Sequence, residues 1–253
     1  MKRLLAFHDE PEILAYENVR VFSRRHPGYP NPTLNHLELV NYFSNCAAPK
    51  KFIDLGCGVG LLGNAATVYG DTEKFEVIFA DLNPYAVNQS VQAYQLNHKT
   101  DLRACPGVRT QTGFRIDTGK HVLEARVGDV SQTFFRFDGQ GARAVAAPMF
   151  IPVICEVFPQ AFDLFALVAK HIGATLYFGH SNLVLDMVKK AAEKNKMKVR
   201  SEPTQTIPFN PEYYSSEQGL QVDYESLAPF GLEIVKGSKV NEYYHRLMIS
   251  ELS

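Results

Sequence analysis

The chain has 253 residues, a formal net charge of −1 and hydrophobic and charged fractions of 45% and 21%, which suits one large α/β domain or two small ones and lacks the basic excess of a duplex-tracking nucleic-acid binder. No run of about 18 apolar residues occurs, so no membrane helix is expected, and the start MKRLLAFHDEPE has too short an apolar stretch for a secretory signal. Cys46, Cys57, Cys105 and Cys155 form no CxxC pair, and no HxH or HxxxH spacing is present, so neither a metal site nor a disulfide framework is expected and a reducing cytoplasm is the natural setting.

Residues 1–45 differ in character from the rest. SRRHPGYPNP is rich in proline, and Leu37, Leu39, Val40 and Phe43 then recur at helical spacing, so this part is expected to form an N-terminal cap or lid. From Lys51 onward, short apolar runs alternate with helical patterns, the sign of a βαβ architecture around a mainly parallel sheet. KFIDLG (51–56) reads as the first strand, 61–70 as a helix stopped by Gly70, and FEVIFADL (75–82) as the second strand. Asn83-Pro84 supplies a cap and a first-turn proline for the next helix, whose buried stripe is Val87, Val91 and Tyr94. Residues 99–121 lack periodicity and read as an inserted loop or hairpin.

HVLEARVGD (121–129) and ARAVAAP (142–148) read as the third and fourth strands, and Phe158, Phe162, Phe165 and Ala169 as the stripe of a helix. ATLYFG (174–179) is the fifth strand, 183–194 a helix, KVRSE (198–202) the sixth strand and YHRLMISEL (244–252) the last. The stretch 203–240 is long and irregular, a second insertion carrying Tyr213, Tyr214, Tyr224 and Phe230 that suits either a water-excluding acceptor pocket or simple packing on the core. A single domain over 46–253 follows, with insertions near 99–121 and 203–240.

The sharpest motif is FIDLGCGVGLLG (52–63), which fits two registers. Gly58-x-Gly60-x-x-Gly63 matches the dinucleotide fingerprint, with Asp81 23 residues on as the ribose acid of an NAD(P)-dependent oxidoreductase. Asp54-x-Gly56-x-Gly58-x-Gly60 matches the first motif of class I methyltransferases that use S-adenosylmethionine. The second register gives Asp54 a role at the strand end; the first leaves a carboxylate stranded inside it.

Asp81-Leu-Asn-Pro and Gly128-Asp129-Val130 agree with the second register, so the chain resembles the class I methyltransferases. That resemblance implies a Rossmann-like α/β fold with a seven-stranded, mainly parallel sheet and helices on both faces, and S-adenosyl-L-methionine as cofactor. It implies that Gly56, Cys57, Gly58 and Gly60 form the cofactor turn and that Asp54 lies near the cationic methionine part. Asp81 would take the ribose hydroxyls, Leu82 would lie against adenine, and Asp129 and Val130 would sit near its amino group. Ala147-Pro148-Met149-Phe150-Ile151-Pro152 is similar to the Asn-Pro-Pro-Tyr segment of the release-factor glutamine methyltransferases, with alanine in place of asparagine. Ala147, Pro148 and Phe150 would then line the acceptor side of the cofactor.

Strand ends face the site in open α/β sheets, so His180 is the candidate base; the alternative is that it and Ser181 cap the next helix. Tyr29, His36 and Glu156 are further candidates. The near-neutral charge favours a small molecule or a protein or peptide side chain as acceptor over nucleic acid. An enzyme transferring methyl to nitrogen or oxygen is the expectation, with a cofactor-binding but inactive relative as the alternative.

Overall fold

The computed structural model describes residues 13–23, 34–46, 49–70, 74–147, 159–208, 233–236 and 241–253. An antiparallel hairpin comes first, β1 (Ile13–Tyr16) and β2 (Val19–Phe22), then α1 (Leu34–Ser44). The alternating unit follows: β3 (Lys51–Leu55), α2 (Leu61–Tyr69), β4 (Phe75–Asp81) and α3 (Pro84–His98). Next come β5 (Gly107–Arg109), β6 (Gly113–Asp117), β7 (His121–Val127), α4 (Val130–Thr133) and β8 (Arg143–Ala146). The chain ends with α5 (Pro159–Ile172), β9 (Thr175–Ser181), a 3-10 turn (Asn182–Val184), α6 (Leu185–Lys194), β10 (Val199–Pro208), β11 (Glu233–Lys236) and β12 (Asn241–Leu252).

The large sheet runs β10-β12-β9-β8-β3-β4-β7-β6-β5, with β11 also paired to β12. Its five central strands, β7, β4, β3, β8 and β9, are parallel, and every strand outside them pairs antiparallel. The chain builds outward from β3 through β4 to β7, then crosses to β8 and β9 on the other side. That reversal places a crevice at the carboxyl ends of β3 and β8, where open α/β sheets bind ligands.

The expected seven-stranded sheet is corrected to a ten-stranded mixed one. The seven anticipated strands are all present; β5, β6 and β11 are the additions. Residues 107–117 pair as a hairpin whose second strand joins the free edge of β7, and 233–236 pairs with β12 inside a stretch that reads as irregular. β10 also runs past Pro203, where the register shifts. A strand at the edge of the sheet tolerates a proline that donates no hydrogen bond.

Successive residues of the central strands feed two cores. Phe52, Val77, Phe79, Leu123, Ala125 and Val145 pack under α1, α2 and α3, while Ile53, Ile78, Ala80, Ala144, Leu176 and Phe178 pack under α4, α5 and α6. Parallel strands covered on both faces must be apolar at nearly every position, which is why KFIDL and FEVIFAD read as continuous runs. No helix among the described residues is long and apolar enough to cross a membrane.

Candidate functional site

The turn after β3 is held from three directions. Gly56 N–H and Cys57 N–H both donate to the Ala80 carbonyl, at 2.8 and 3.0 Å, which ties the turn to the end of β4. Gly56, Gly58 and Gly60 have φ of +70°, +52° and +80°, the left-handed region that glycine enters without strain. From α3, Ser90 Oγ lies 2.9 Å from the Ala86 carbonyl, 3.1 Å from the Gly58 carbonyl and 3.3 Å from Cys57 Sγ. From α2, the buried Asn64 donates through Nδ2 to the carbonyls of Gly60 and Ser90, at 2.8 and 3.0 Å. Sequence reading missed Ser90 and Asn64; Ser90 lies seven positions past Asn83 with no motif of its own.

Asp81 ends β4 and faces this turn. Its Oδ2 accepts from Gly58 N–H at 3.0 Å and its Oδ1 from Asn83 N–H at 2.8 Å. Burial raises its pKa and the backbone donors from Asn83, Gly58 and Leu82 oppose that rise. Each carboxylate oxygen has two acceptor directions, so with these backbone donors in place the group still has capacity for a hydroxyl donor. Asn83 caps α3 by accepting from Tyr85 N–H at 2.9 Å, with Pro84 in the first turn. Leu82 is 74% exposed, an apolar side chain left open beside the carboxylate. At the end of β7, Gly128 N–H donates to the Asp81 carbonyl at 3.0 Å, bringing the third strand end to the second.

Asp129 is exposed and caps α4, accepting from Ser131 N–H and Oγ, which hold its carboxyl below the usual range. Val130, the first residue of α4, is 7% exposed and packs its side chain in the core. Ala147, just past β8, is half-buried. Pro148, Phe150, Tyr29, Glu156, Tyr213, Tyr214, Tyr224 and Phe230 lie outside the described residues. His36 is half-buried on α1.

Asp54 is 2% exposed and points toward α2, where Oδ2 accepts from Gly63 N–H at 2.9 Å. Burial pushes its pKa up to about 8; the Gly63 donor opposes the rise and the nearby Asp81 charge adds to it. Gly63 itself is a packing glycine: a Cβ there would stand 2.3 Å from the Phe79 ring. Cys57 is buried behind the turn, and burial, with Asp54 and Asp81 nearby, drives its thiol well above the usual range. A protonated thiol with no adjacent base is a poor nucleophile.

The expectation that His180 acts as a base does not fit its surroundings. His180 is fully buried within β9, and burial lowers its pKa to about 4. Its Nδ1 lies 2.8 Å from the Ser181 carbonyl, which only accepts, so Nδ1 carries the proton. Its Nε2 is then the acceptor for Ser250 Oγ at 2.7 Å, and Ser250 in turn accepts from Ser201 Oγ at 2.7 Å. The one basic nitrogen is filled from within the sheet. Ser181, by contrast, caps the 3-10 turn by accepting from Leu183 N–H.

No protein-family model and no curated protein sequence matches this chain. Solved structures do. A Bacillus halodurans protein assigned as a methyltransferase superposes with a TM-score of 0.53 at 13% identity, covering 87% of this chain and 98% of that one. The precorrin-6y C5,15-methyltransferase of Geobacter metallireducens gives 0.50 at 8% identity, covering 94% and 100%. TYW2 of Pyrococcus horikoshii, in complex with MeSAdo, gives 0.50 at 10% identity, covering 96% and 72%. The fold is a methyltransferase fold. Within that methyltransferase fold, the turn after β3, the acid ending β4 and the acid following β7 converge at one end of the sheet.

Proposed function

We propose that this protein is an S-adenosylmethionine-dependent methyltransferase acting on a nitrogen or oxygen of a small molecule or of a protein or peptide side chain. The observation that carries this reading is Asp81, whose two oxygens are fixed by Gly58 N–H and Asn83 N–H at the mouth of the crevice. Fixed in that way, the carboxylate keeps acceptor capacity that suits a ribose hydroxyl. The residues around it fit the rest of the cofactor. The left-handed glycines keep the turn free of side chains, Leu82 supplies an open apolar surface for adenine, and buried Asp54 answers a cationic amino-acid end. MeSAdo in the similarly folded TYW2 supports an adenosyl ligand for this fold.

The cofactor supplies a methyl group made electrophilic by the attached sulfonium. The protein's part is to bind and orient: holding an acceptor in line and near contact supplies much of the rate of such a displacement. The region of Ala147, Pro148 and Phe150 would form the acceptor wall, with alanine where the glutamine methyltransferases have asparagine. Glutamine methylation by that route therefore lacks its carboxamide acceptor. With His180 saturated inside the sheet, a base is required only for an acceptor that arrives protonated.

The dinucleotide register finds one point in its favour, since Gly63 packs tightly against β4 as a third fingerprint glycine would. Against it stands β12, which runs antiparallel in the place next to β9 where a six-stranded dinucleotide fold continues parallel. Isothermal titration with S-adenosylmethionine, S-adenosylhomocysteine and NADH decides the matter. The expected result is binding of both adenosyl ligands and none of NADH; NADH binding alone would overturn the reading.

A further inference from the structure

The hairpin β1–β2 stands apart from the large sheet, and its second strand packs against α2 and α3, the two helices that hold the glycine turn. Val19 and Val21 are fully buried in the core shared with those helices. Polar side chains of the helices make the rest of the attachment. Asn97 of α3 closes a two-point pair on Arg20: its Oδ1 accepts from Arg20 N–H and its Nδ2 donates to the Arg20 carbonyl, each at 2.7 Å. The carboxamide thus supplies the donor and the acceptor that a neighbouring strand would. Further along α3, Gln89 Nε2 donates to the Phe22 carbonyl at 3.0 Å and to that of Ser23. From α2, Tyr69 Oη donates to Glu17 in the hairpin turn at 3.0 Å.

The same helices grip the glycine turn. Asn64 of α2 donates to the carbonyls of Gly60 and Ser90, and Ser90 of α3 reaches the Gly58 carbonyl. The approach is close: a Cβ on Gly60 would stand 2.5 Å from Ser90 Cβ. Two further contacts join α2 to α3 beside the hairpin. Asn97 Nδ2 lies 3.5 Å from Asn64 Oδ1, and His98 Nε2 lies 2.8 Å from Thr67 Oγ1. A change in the spacing of α2 and α3 therefore moves the carbonyls of the turn, and the hairpin is bonded to both helices.

We propose that hairpin β1–β2 is a clamp on the cofactor turn, with Asn97 as its positioning residue, so that hairpin docking and S-adenosylmethionine binding favour one another. This rests on the methyltransferase reading above and names what sets the affinity of that site. A turn whose supporting helices are already spaced for the ligand spares binding the cost of ordering them. Such coupling is reciprocal: the docked hairpin tightens the cofactor by the same factor by which the bound cofactor stabilises the docked hairpin.

Amide hydrogen exchange on the full chain, with and without S-adenosylhomocysteine, reads the link. Arg20 is exposed, and its amide is followed where it exchanges faster than the amides of β3, by local lifting of the hairpin. A ligand that only stabilises the rest of the fold leaves that rate alone. Saturating S-adenosylhomocysteine should slow Arg20 about five-fold or more, the lower end of ordinary coupling between sites. Asn97→Ala should weaken S-adenosylhomocysteine binding by a similar factor. Ser250→Ala in β12 loses stability without touching either helix, and should bind as the native chain does. An Arg20 rate unchanged by the ligand overturns the proposal, as does native affinity in Asn97→Ala or equal weakening in both variants. If Asn97→Ala does not fold, the exchange rates of the native chain decide alone. Failure of S-adenosylhomocysteine to bind the native chain would instead remove the methyltransferase reading, and this proposal with it.

Discussion

Ser90 Oγ lies 3.1 Å from the carbonyl of Gly58, the residue whose N–H is bound 3.0 Å away by Asp81. One glycine is thus fixed at its donor by the acid and at its acceptor by a helix behind it. Ser90→Ala keeps the Cβ and removes only the hydroxyl. Loss of one hydrogen bond of this kind is worth about 1 kcal/mol, or roughly a five-fold loss in S-adenosylmethionine affinity. Titration calorimetry on the variant checks it; unchanged affinity would mean that the turn does not depend on Ser90.

Gly60→Ala should be far more damaging. Its φ is +80°, and a Cβ there would stand 2.5 Å from Ser90 Cβ. The left-handed backbone alone costs an alanine about 1 kcal/mol, and the clash adds about 1–3 kcal/mol of overpacking. Thermal melting should fall by several degrees, and cofactor affinity with it. A variant that melts with the native protein would show that the turn relaxes freely.

Asp81→Ala is the direct test of the cofactor assignment. Removing the carboxylate takes away the acceptor proposed for ribose and also releases Gly58 N–H and Asn83 N–H. Charge-assisted hydrogen bonds are worth about 1.5–3 kcal/mol, so affinity for S-adenosylhomocysteine should fall at least ten-fold. Titration with S-adenosylhomocysteine and with adenosine reads this, and equal loss for both ligands would locate the effect at the nucleoside.

The glycine turn and the acids at 54, 81 and 129 were legible in the sequence because each lies within a few residues of a strand end that its own neighbours define. Asn83-Pro84 was legible for the same reason, since cap and first turn are adjacent in sequence. His180 was not: the groups that fill its nitrogens include Ser250, 70 residues away, and Ser250 in turn is met by Ser201. The β5–β6 hairpin was legible only as a loop or hairpin, and its joining the sheet was not, because β5 is exposed throughout and β6 is only partly buried, so neither shows a clean alternation. Hairpin β1–β2 lay hidden in a segment read as a cap, although Val19 and Val21 are fully buried.

Asp54 gives the free protein a distinctive pH dependence. Its folded pKa is raised by burial to about 8, above the ordinary 3.8, so the folded state binds the extra proton between those values. Stability from this group is fully present below about pH 4 and is lost as pH rises through about 8. Asp54→Asn should flatten that decline in a melting-temperature series from pH 5 to 9. A cationic ligand end favours the ionised carboxylate, so S-adenosylmethionine binding near pH 7 should release a proton in the native protein and less in the variant. Calorimetry in buffers of different ionisation enthalpy measures that release; identical proton counts would separate Asp54 from the ligand.

His180 titrates with the opposite sign, and this separates a structural imidazole from a catalytic one. Its pKa is lowered by burial from 6.5 to about 4, so its neutral form favours folding above pH 6.5, and that contribution is lost as pH falls toward 4. Ser250→Ala removes the donor to Nε2 and leaves a buried acceptor unsatisfied, at a cost of about 1–3 kcal/mol. Urea denaturation at pH 7 should show that loss. The pH profile of methyl transfer should keep its midpoint, because the imidazole takes no proton from the acceptor. A midpoint displaced by Ser250→Ala, with stability intact, would return His180 to the reaction as its base.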